Sequence, residues 1–377
     1  MTQMQVEGRT KGRTGSIIMA QSKNLIPLIL ILLVALITRL FILSTYSPYT
    51  TGSNYLVGKF VASGLPLYSK VSWGYPPLYA YVLGATYLVT DGSFLAIESI
   101  PILFSLLTLT FAYLAIRLID GNTSGLLVSL VFAVSPIFPW GLGDDNVDPP
   151  YIALVLATVY FLLKHEASSS RRYMILSGVS AGLSLLMKQL ALWPIAVVFG
   201  YALLRSRVRR DLALFIISSA LSFFMLNPFL NGYTSLFSWV ITVGVVPSVY
   251  RSVALPSGER LSRFLLGPQP VDALIFLGVI GCPYLAAKRR KGGVFLFLIY
   301  LASIILFLVL MPQIDTHHTV LIIPFVLIGA GVLLNDIGDN LPVRSLRRVL
   351  KPLLLASILG AESILVVYPG TLSFISS

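Results

Sequence analysis

The densest group of reactive side chains in the sequence is an acidic segment that reads Trp-Gly-Leu-Gly-Asp-Asp-Asn-Val-Asp-Pro-Pro over residues 140–150. Neighbouring carboxylates resist joint ionisation, so such a group can hold a divalent cation or keep one member basic enough to take a proton. We therefore expect Asp144 and Asp145 to act as the catalytic base or to bind a divalent metal ion with its phosphate. Asp148, directly before two prolines, is expected to cap the following helix instead.

A second polar group, made of Asp315, His317 and His318, lies between two apolar segments. Two histidines and a carboxylate could ligate a metal or hydrogen-bond a diphosphate. Adjacent side chains on a helix point in different directions, so at most one histidine can face a site together with Asp315. The pattern disfavours a three-ligand metal site and indicates phosphate binding, with either His317 or His318 as the donor.

Two charged residues, Lys188 and Arg39, fall within apolar runs. A charge inside a membrane costs several kcal/mol unless it faces a cavity or reaches the surface. Pro194 follows Lys188 closely enough to open a cleft beside it, so we expect Lys188 to contact a substrate. For Arg39 the sequence favours a side chain that extends to the membrane surface.

Prolines and aromatic residues crowd the stretch 46–77, which is typical of a folded loop whose rings lie at the level of the lipid headgroups. The candidates for substrate binding in this loop are Asn54, Tyr55, Tyr68, Trp73 and Tyr75.

These groups must be positioned by a very apolar chain. Of its 377 residues 56% are hydrophobic and 11% are charged, and the mean hydropathy is +0.87, which excludes a water-soluble fold. Apolar runs of about 20 residues recur along the sequence, each long enough to cross a bilayer as a helix. We predict an all-α polytopic membrane protein with about eleven transmembrane helices. The predicted spans are 25–45, 96–117, 124–140, 150–164, 172–188, 189–205, 211–228, 271–287, 292–312, 317–335 and 351–368.

The stretch 78–90 is too short for a span and is predicted to form an interfacial helix after the first outer loop. Charge supports this choice, because cytoplasmic loops carry an excess of lysine and arginine. If the basic segment 1–24 is cytoplasmic and 78–90 does not cross, most of the 27 basic residues fall on one side. The C-terminus and the segments rich in polar and acidic residues then lie outside.

The same distribution explains the net charge of +12 without nucleic acid as a partner. The predicted organisation is a single transmembrane domain over 25–377, with a core over 25–228 and C-terminal helices over 229–377 that include an outer loop at 229–270.

Taken in chain order, the motifs resemble those of the GT-C superfamily of membrane glycosyltransferases, above all its polyprenyl-phosphate-mannose-dependent mannosyltransferases. Gly64–Tyr68 and Tyr75–Tyr79 look like that family's Gly-x-x-Pro-Tyr and Tyr-x-Pro-Leu pair. Gly143–Asn146 looks like its second acidic motif, and Gly182–Pro194 looks like its glycine-rich helix with lysine and proline. The likeness covers roughly residues 35–200.

The resemblance implies a GT-C-like fold and transfer of a sugar, such as mannose, from a polyprenyl-phosphate donor to a hydroxyl on a lipid-linked or protein acceptor. An apolar cleft between helices, open to the surrounding membrane lipids, would hold the isoprenoid chain. Lys188 and one of the two histidines would neutralise the departing phosphate, while Trp73 and Tyr75 would stack on the sugar. Asp144 or Asp145 would deprotonate the acceptor or stabilise positive charge on the sugar ring.

One departure from the family pattern leaves alternatives open. The family's catalytic base is an aspartate upstream of the Gly-x-x-Pro-Tyr element, and here residues 50–55 contain no carboxylate. Either Asp144 or Asp145 replaces it, or a partner subunit supplies it, or the protein is a catalytically silent relative that binds lipid-linked sugar. A membrane transporter of a lipid-linked or polar solute is the rival from another class, disfavoured because no inverted repeat is evident.

Overall fold

The computed structural model describes residues 25–45, 52–68, 70–71, 73, 75–135, 148–225, 273–288, 291–305 and 322–340. Within these residues the regular elements are helices, apart from one isolated bridge between Leu67 and Val71. The predicted all-α class is therefore confirmed. The predicted span 351–368 lies outside the described residues, and the count of about eleven spans stays a prediction.

The described helices are α1 (Leu25–Thr45), α2 (Gly52–Ala62), α3 (Leu78–Val89), α4 (Phe94–Asp120), α5 (Asn122–Val134), α6 (Asp148–Ser168), α7 (Arg171–Met187), α8 (Leu192–Leu204), α9 (Ser206–Arg209), α10 (Leu212–Met225), α11 (Ala273–Ala287), α12 (Lys291–Ile305) and α13 (Ile323–Asn340). Two of these described helices, α4 and α6, are long and apolar enough to cross a membrane by length and composition. Several others are equally apolar but shorter. On α1 many large apolar side chains are exposed, which suits contact with lipid.

Helix α1 has the predicted bounds, and α3 confirms a helix in the short stretch 78–90. The predicted end of the span 317–335 was wrong, because α13 continues to Asn340. Polar residues near that end are satisfied: Asn335 Nδ2 donates to Ser124 Oγ at 3.0 Å, and Asp336 pairs with Lys288. A helix can extend beyond its run of apolar residues where neighbouring helices supply partners for its polar side chains.

Helix α6 packs against α4 on one side and α7 on the other. The far face of α7 meets α10 at two glycines, where a Cβ on Gly178 would lie 2.4 Å from the Phe215 carbonyl oxygen. A Cβ on Gly182 would lie equally close, 2.4 Å from the Ser219 carbonyl oxygen. Small residues let these two backbones touch, as is common where membrane helices pack.

Arg39 does not reach the membrane surface, contrary to the sequence-based expectation. Its side chain is buried, and Nη2 donates to the Phe132 carbonyl at 3.2 Å while Nη1 donates to the Ala35 carbonyl at 3.0 Å. A further bond joins Nε to Ser105 Oγ. The carbonyls in the last turn of α5 have no partner within that helix, so the guanidinium caps it and ties α1, α4 and α5 together.

One end of the helix bundle carries paired charges and is called the basic end below. The ion pairs at this end include Glu166–Arg205, Asp211–Arg171 and Asp120–Lys288. A Cβ on Gly292 would lie against Ile119 and Leu163, which places the ends of α4 and α6 beside the start of α12. Because Asp148 begins α6, it lies at the other end of that helix, about 30 Å away for a helix of this length.

Candidate functional site

The candidate site lies where the helical backbone is interrupted between α7 and α8. Lys188 has an extended backbone, with φ −150° and ψ 134°, and a short 3-10 turn over Gln189–Ala191 follows it. Pro194, in the first turn of α8, lacks an N–H group, and its ring would clash with the carbonyl of Leu190 in a continuous helix. The predicted span 189–205 therefore starts late, at Leu192, and Lys188 is placed at the break.

The Lys188 ammonium is joined to the carboxylate of Asp148, which begins α6. Nζ lies 2.5 Å from Oδ1, and the two side chains are 3% and 1% exposed. Asp148 does lie at a helix start, as the capping interpretation requires, but its carboxylate serves as the partner of a buried cation. Two charges in a low-dielectric interior are tolerated only as such a pair, because each alone carries a large desolvation penalty.

Aromatic rings surround the ammonium of this pair. The ring of Tyr75 lies 5.2 Å from Nζ and the ring of Tyr151 lies 5.6 Å from it, within range of cation–π attraction. Trp73 contacts Tyr75 edge-on, with ring centroids 5.3 Å apart, and stacks on Tyr79 at 6.3 Å. The site thus combines a buried ion pair with four aromatic side chains from three segments of the chain.

The loop before α3 is shaped to present Trp73 and Tyr75. Tyr68 adopts φ 70°, a left-handed conformation that non-glycine residues rarely take, and its hydroxyl donates to the Tyr75 carbonyl at 2.7 Å. Trp73 Nε1 donates to the Pro76 carbonyl at 3.1 Å. Burial raises the pKa of the Tyr68 hydroxyl, so it stays protonated and keeps donating at physiological pH.

A second carboxylate lies near the pair. Glu98, in the second turn of α4, is 3% exposed, and both it and Asp148 interact electrostatically with the hydroxyl of the fully buried Tyr79. The residues predicted for the site from the sequence did not include Tyr79, Glu98 or Tyr151. The signal for Tyr151 was its spacing, because a residue three positions after Asp148 lies on the same face of a helix.

The structure brings together three predicted site residues, Trp73, Tyr75 and Lys188, and connects Tyr68 to them through one hydrogen bond. Tyr55 belongs to a different aromatic group, with its ring 5.5 Å from Tyr87 and 5.9 Å from Phe94. Asn54 is buried within α2. The other predicted site residues, Asp144, Asp145, Asp315, His317 and His318, lie outside the described residues.

In the described part of the chain no group of three or more histidine, cysteine, aspartate and glutamate side chains is arranged to hold a metal ion. The expectation that Asp144 and Asp145 bind a divalent metal concerns residues outside that part and stays a prediction.

Residues 74–231, which contain most of this site, match the sequence family of dolichyl-phosphate-mannose-protein mannosyltransferases. No curated protein matches the full sequence.

Solved structures share the fold. ArnT from Cupriavidus metallidurans bound to undecaprenyl phosphate superposes with a TM-score of 0.64 at 16% identity, covering 92% of this chain and 73% of ArnT. The oligosaccharyltransferase AglB from Archaeoglobus fulgidus, in complex with an inhibitory peptide and a dolichol-phosphate, gives 0.63 at 13% identity, covering 92% of this chain and 56% of AglB. The chain spans about half the length of the archaeal structures that it matches.

Proposed function

Because the chain has the fold of the GT-C superfamily of membrane glycosyltransferases, we propose that it moves a sugar from a polyprenyl-phosphate donor to an acceptor hydroxyl. The observation that carries this proposal is the buried Lys188–Asp148 pair beneath the rings of Tyr75 and Tyr151. An ion pair hidden among aromatic side chains in a membrane helix bundle is an expensive arrangement that function, rather than stability, explains.

The donor lipid is the first part of the proposal. Two structures with this fold contain a polyprenyl phosphate, dolichol-phosphate in AglB and undecaprenyl phosphate in ArnT. An isoprenoid chain needs an apolar surface reached from the bilayer, and this chain offers many exposed apolar side chains along its helices. Mannose, which the matching sequence family uses, is the sugar that we propose first.

The side of the membrane is the second part. The basic end gathers arginine and lysine from several loops, and the positive-inside rule places such an end in the cytoplasm. The Lys188–Asp148 pair lies at the opposite end of α6. We therefore propose that the reaction occurs at the outer face and that the acceptor is a lipid-linked or secreted molecule.

The chemistry is the third part. Trp73 and Tyr75 provide flat apolar faces of the kind that stack on sugar rings. We propose that Asp144 or Asp145, a few residues before Asp148, takes the proton of the acceptor hydroxyl. Asp315 with His317 or His318 is proposed to bind the phosphate. Lys188 shares its charge with Asp148, so it contributes mainly by fixing that carboxylate within the site.

Reconstituted transfer tests this function. The full chain in liposomes with labelled polyprenyl-phosphate mannose and a membrane-lipid extract as acceptor should release polyprenyl phosphate and label a product. The double variant Lys188→Met with Asp148→Asn removes both charges while keeping similar volumes, and should lower the rate by about 100-fold or more. Arg171→Ala is the control, because Arg171 is 78% exposed at the basic end and should leave the rate unchanged.

The base has its own test. The double variant Asp144→Ala with Asp145→Ala should lower transfer by about 100-fold, as expected when a general base is lost. Undiminished transfer by this variant would reject these residues as the base. Donor binding by the wild type without transfer to any hydroxyl acceptor would instead identify a catalytically silent relative.

A further inference from the structure

Two tyrosine hydroxyls in the site are buried without a hydrogen-bond partner among the described residues. Tyr79 is 0% exposed, Tyr151 is 1% exposed, and neither hydroxyl has a partner within that part of the chain. Native proteins contain few such groups, since each loses its bonds to water and gains nothing in return. Each such group in a native protein therefore calls for a reason, such as backbone strain, a bound water or ion, or a functional role.

Both hydroxyls belong to the same site. The Tyr151 ring lies 5.6 Å from Lys188 Nζ, and the Tyr79 ring stacks on Trp73 at 6.3 Å. Glu98 and Asp148 both act electrostatically on the Tyr79 hydroxyl. Asp148 acts on the Tyr151 hydroxyl as well, and the two hydroxyls and two carboxyl groups, beside the rings of Trp73 and Tyr75, are called the polar chamber below.

The polar chamber suits a neutral ligand. Among the described residues around it, the cation is Lys188, and Asp148 already neutralises that charge at 2.5 Å. An added carboxylate or phosphate would meet no uncompensated positive charge from these residues and would lie near Glu98. Hydroxyl groups, in contrast, can both donate to the carboxyl oxygens and accept from the tyrosines.

We propose that Tyr79 and Tyr151, with Glu98 as acceptor, bind the hydroxyls of the transferred sugar and select a neutral ring over a uronic acid. The choice of a lipid-linked sugar as the ligand rests on the proposed function. Aromatic faces on one side and polar groups on the other complete a surface for a polyhydroxylated ring. Tyr79 and Tyr151 are thus specificity-determining residues, which act by hydrogen bonding rather than by transferring a proton.

Removing either hydroxyl should weaken sugar binding without lowering the stability of the protein. Tyr79→Phe and Tyr151→Phe each remove a hydroxyl that has no partner in the ligand-free protein, so neither variant should unfold at a lower temperature than the wild type. Each should lose one hydrogen bond to the sugar, which corresponds to about a 3- to 10-fold weaker contribution to affinity. A hydroxyl that served the fold would give the opposite pattern.

The test compares the binding of bare polyprenyl phosphate with that of the same lipid carrying mannose, glucose or glucuronic acid, on the full chain in detergent. The ratio of affinities, with and without sugar, isolates the contribution of the ring. Wild type should bind a neutral-sugar lipid more tightly than the bare lipid, and the glucuronic acid lipid no more tightly. Tyr79→Phe and Tyr151→Phe should lower the neutral-sugar ratio, and Glu98→Gln should do the same.

Tyr160→Phe is the matched control, because Tyr160 lies on the same helix as Tyr151 but its ring packs at a tilt against Phe111 and Phe161, outside the chamber. The inference is overturned if no sugar tightens binding to the wild type, if the Phe variants keep the full ratio, or if they unfold earlier than the wild type. Sugar-dependent binding that needs the tyrosines, in a wild type that transfers nothing, would reject the proposed transferase activity and leave the polar chamber as a sugar site.

Discussion

Lys188 Nζ and Asp148 Oδ1 lie 2.5 Å apart although the two residues are 40 positions apart in the sequence. The first stands at the break after α7 and the second at the start of α6. Their contact joins the start of α6 to the end of α7, beside Tyr75 of the loop before α3. Both side chains are almost fully buried, so each charge depends on the other.

This dependence predicts strong coupling between the two residues. Lys188→Met alone should leave a buried carboxylate without its partner and destabilise the protein by about 3–5 kcal/mol. Asp148→Asn alone should cost a similar amount, but the double variant should recover most of the loss. Thermal or denaturant unfolding of the four proteins in detergent measures the coupling. Additive losses would show that the two charges are stabilised separately.

The Tyr68 hydroxyl predicts an effect on the loop rather than on the whole fold. Tyr68→Phe removes the 2.7 Å bond to the Tyr75 carbonyl, worth about 1 kcal/mol, and frees the segment that presents Trp73 and Tyr75. We expect KM for the donor to rise by about 3- to 10-fold with little change in the unfolding temperature. Tyr160→Phe is the control with the same chemical change.

Because burial raises the pKa of Tyr68, its hydroxyl stays neutral at physiological pH and above. The pH–rate profiles of the wild type and of Tyr68→Phe should therefore have the same shape. A limb of the pH–rate profile that is lost in this variant would show that Tyr68 takes part in proton transfer.

The sequence identified what depends on local pattern and missed what depends on pairing between distant segments. The apolar run predicted α1 at its observed bounds, and a lysine in an apolar segment pointed to Lys188, which the structure places in the buried pair of the candidate site. The partner of Lys188 could not be found the same way, because Asp148 before two prolines reads equally well as a helix cap. Glu98 was overlooked because its link to the site, through the Tyr79 hydroxyl, joins two different helices.

Helix ends show the same limit. Pro194 indicated a cleft beside Lys188, but only the three-dimensional structure shows that the next α-helix begins at Leu192. The predicted span 317–335 stopped at Asn335, yet the helix continues, and Ser124 on another helix accepts the hydrogen bond of Asn335. Such compensation comes from tertiary contacts, which an amphipathic pattern does not encode.

The close contact between α7 and α10 predicts that Gly178 cannot be replaced by alanine, whereas Gly200, on α8, can be replaced. A Cβ on Gly178 would meet the Phe215 carbonyl oxygen at 2.4 Å, which is backbone and cannot rotate away. Gly178→Ala should therefore destabilise the protein by about 1–3 kcal/mol. Gly200→Ala is the matched control, since nothing lies within 4 Å of its Cβ, and it should be neutral or stabilise α8 by up to about 1 kcal/mol. Equal unfolding temperatures for the two variants would contradict the close packing.

Arg39 binds the last turn of α5, and the acidic segment 140–150 follows this helix in the sequence. Its guanidinium binds the Phe132 and Ala133 carbonyls at 3.2 and 3.4 Å, and Asp144 follows about ten residues later. Arg39→Met should leave these carbonyls without a donor and lower both stability, by about 2–4 kcal/mol, and the transfer rate. Arg39→Lys should recover part of each, since an ammonium can reach fewer acceptors than a planar guanidinium. Thr38→Ala, which removes a hydroxyl bonded to the Val34 carbonyl of its own helix, controls for changes in α1 alone. Unfolding in detergent and transfer in liposomes measure the two effects, and a transfer rate unchanged in a destabilised Arg39→Met would show that α5 does not position the acidic segment.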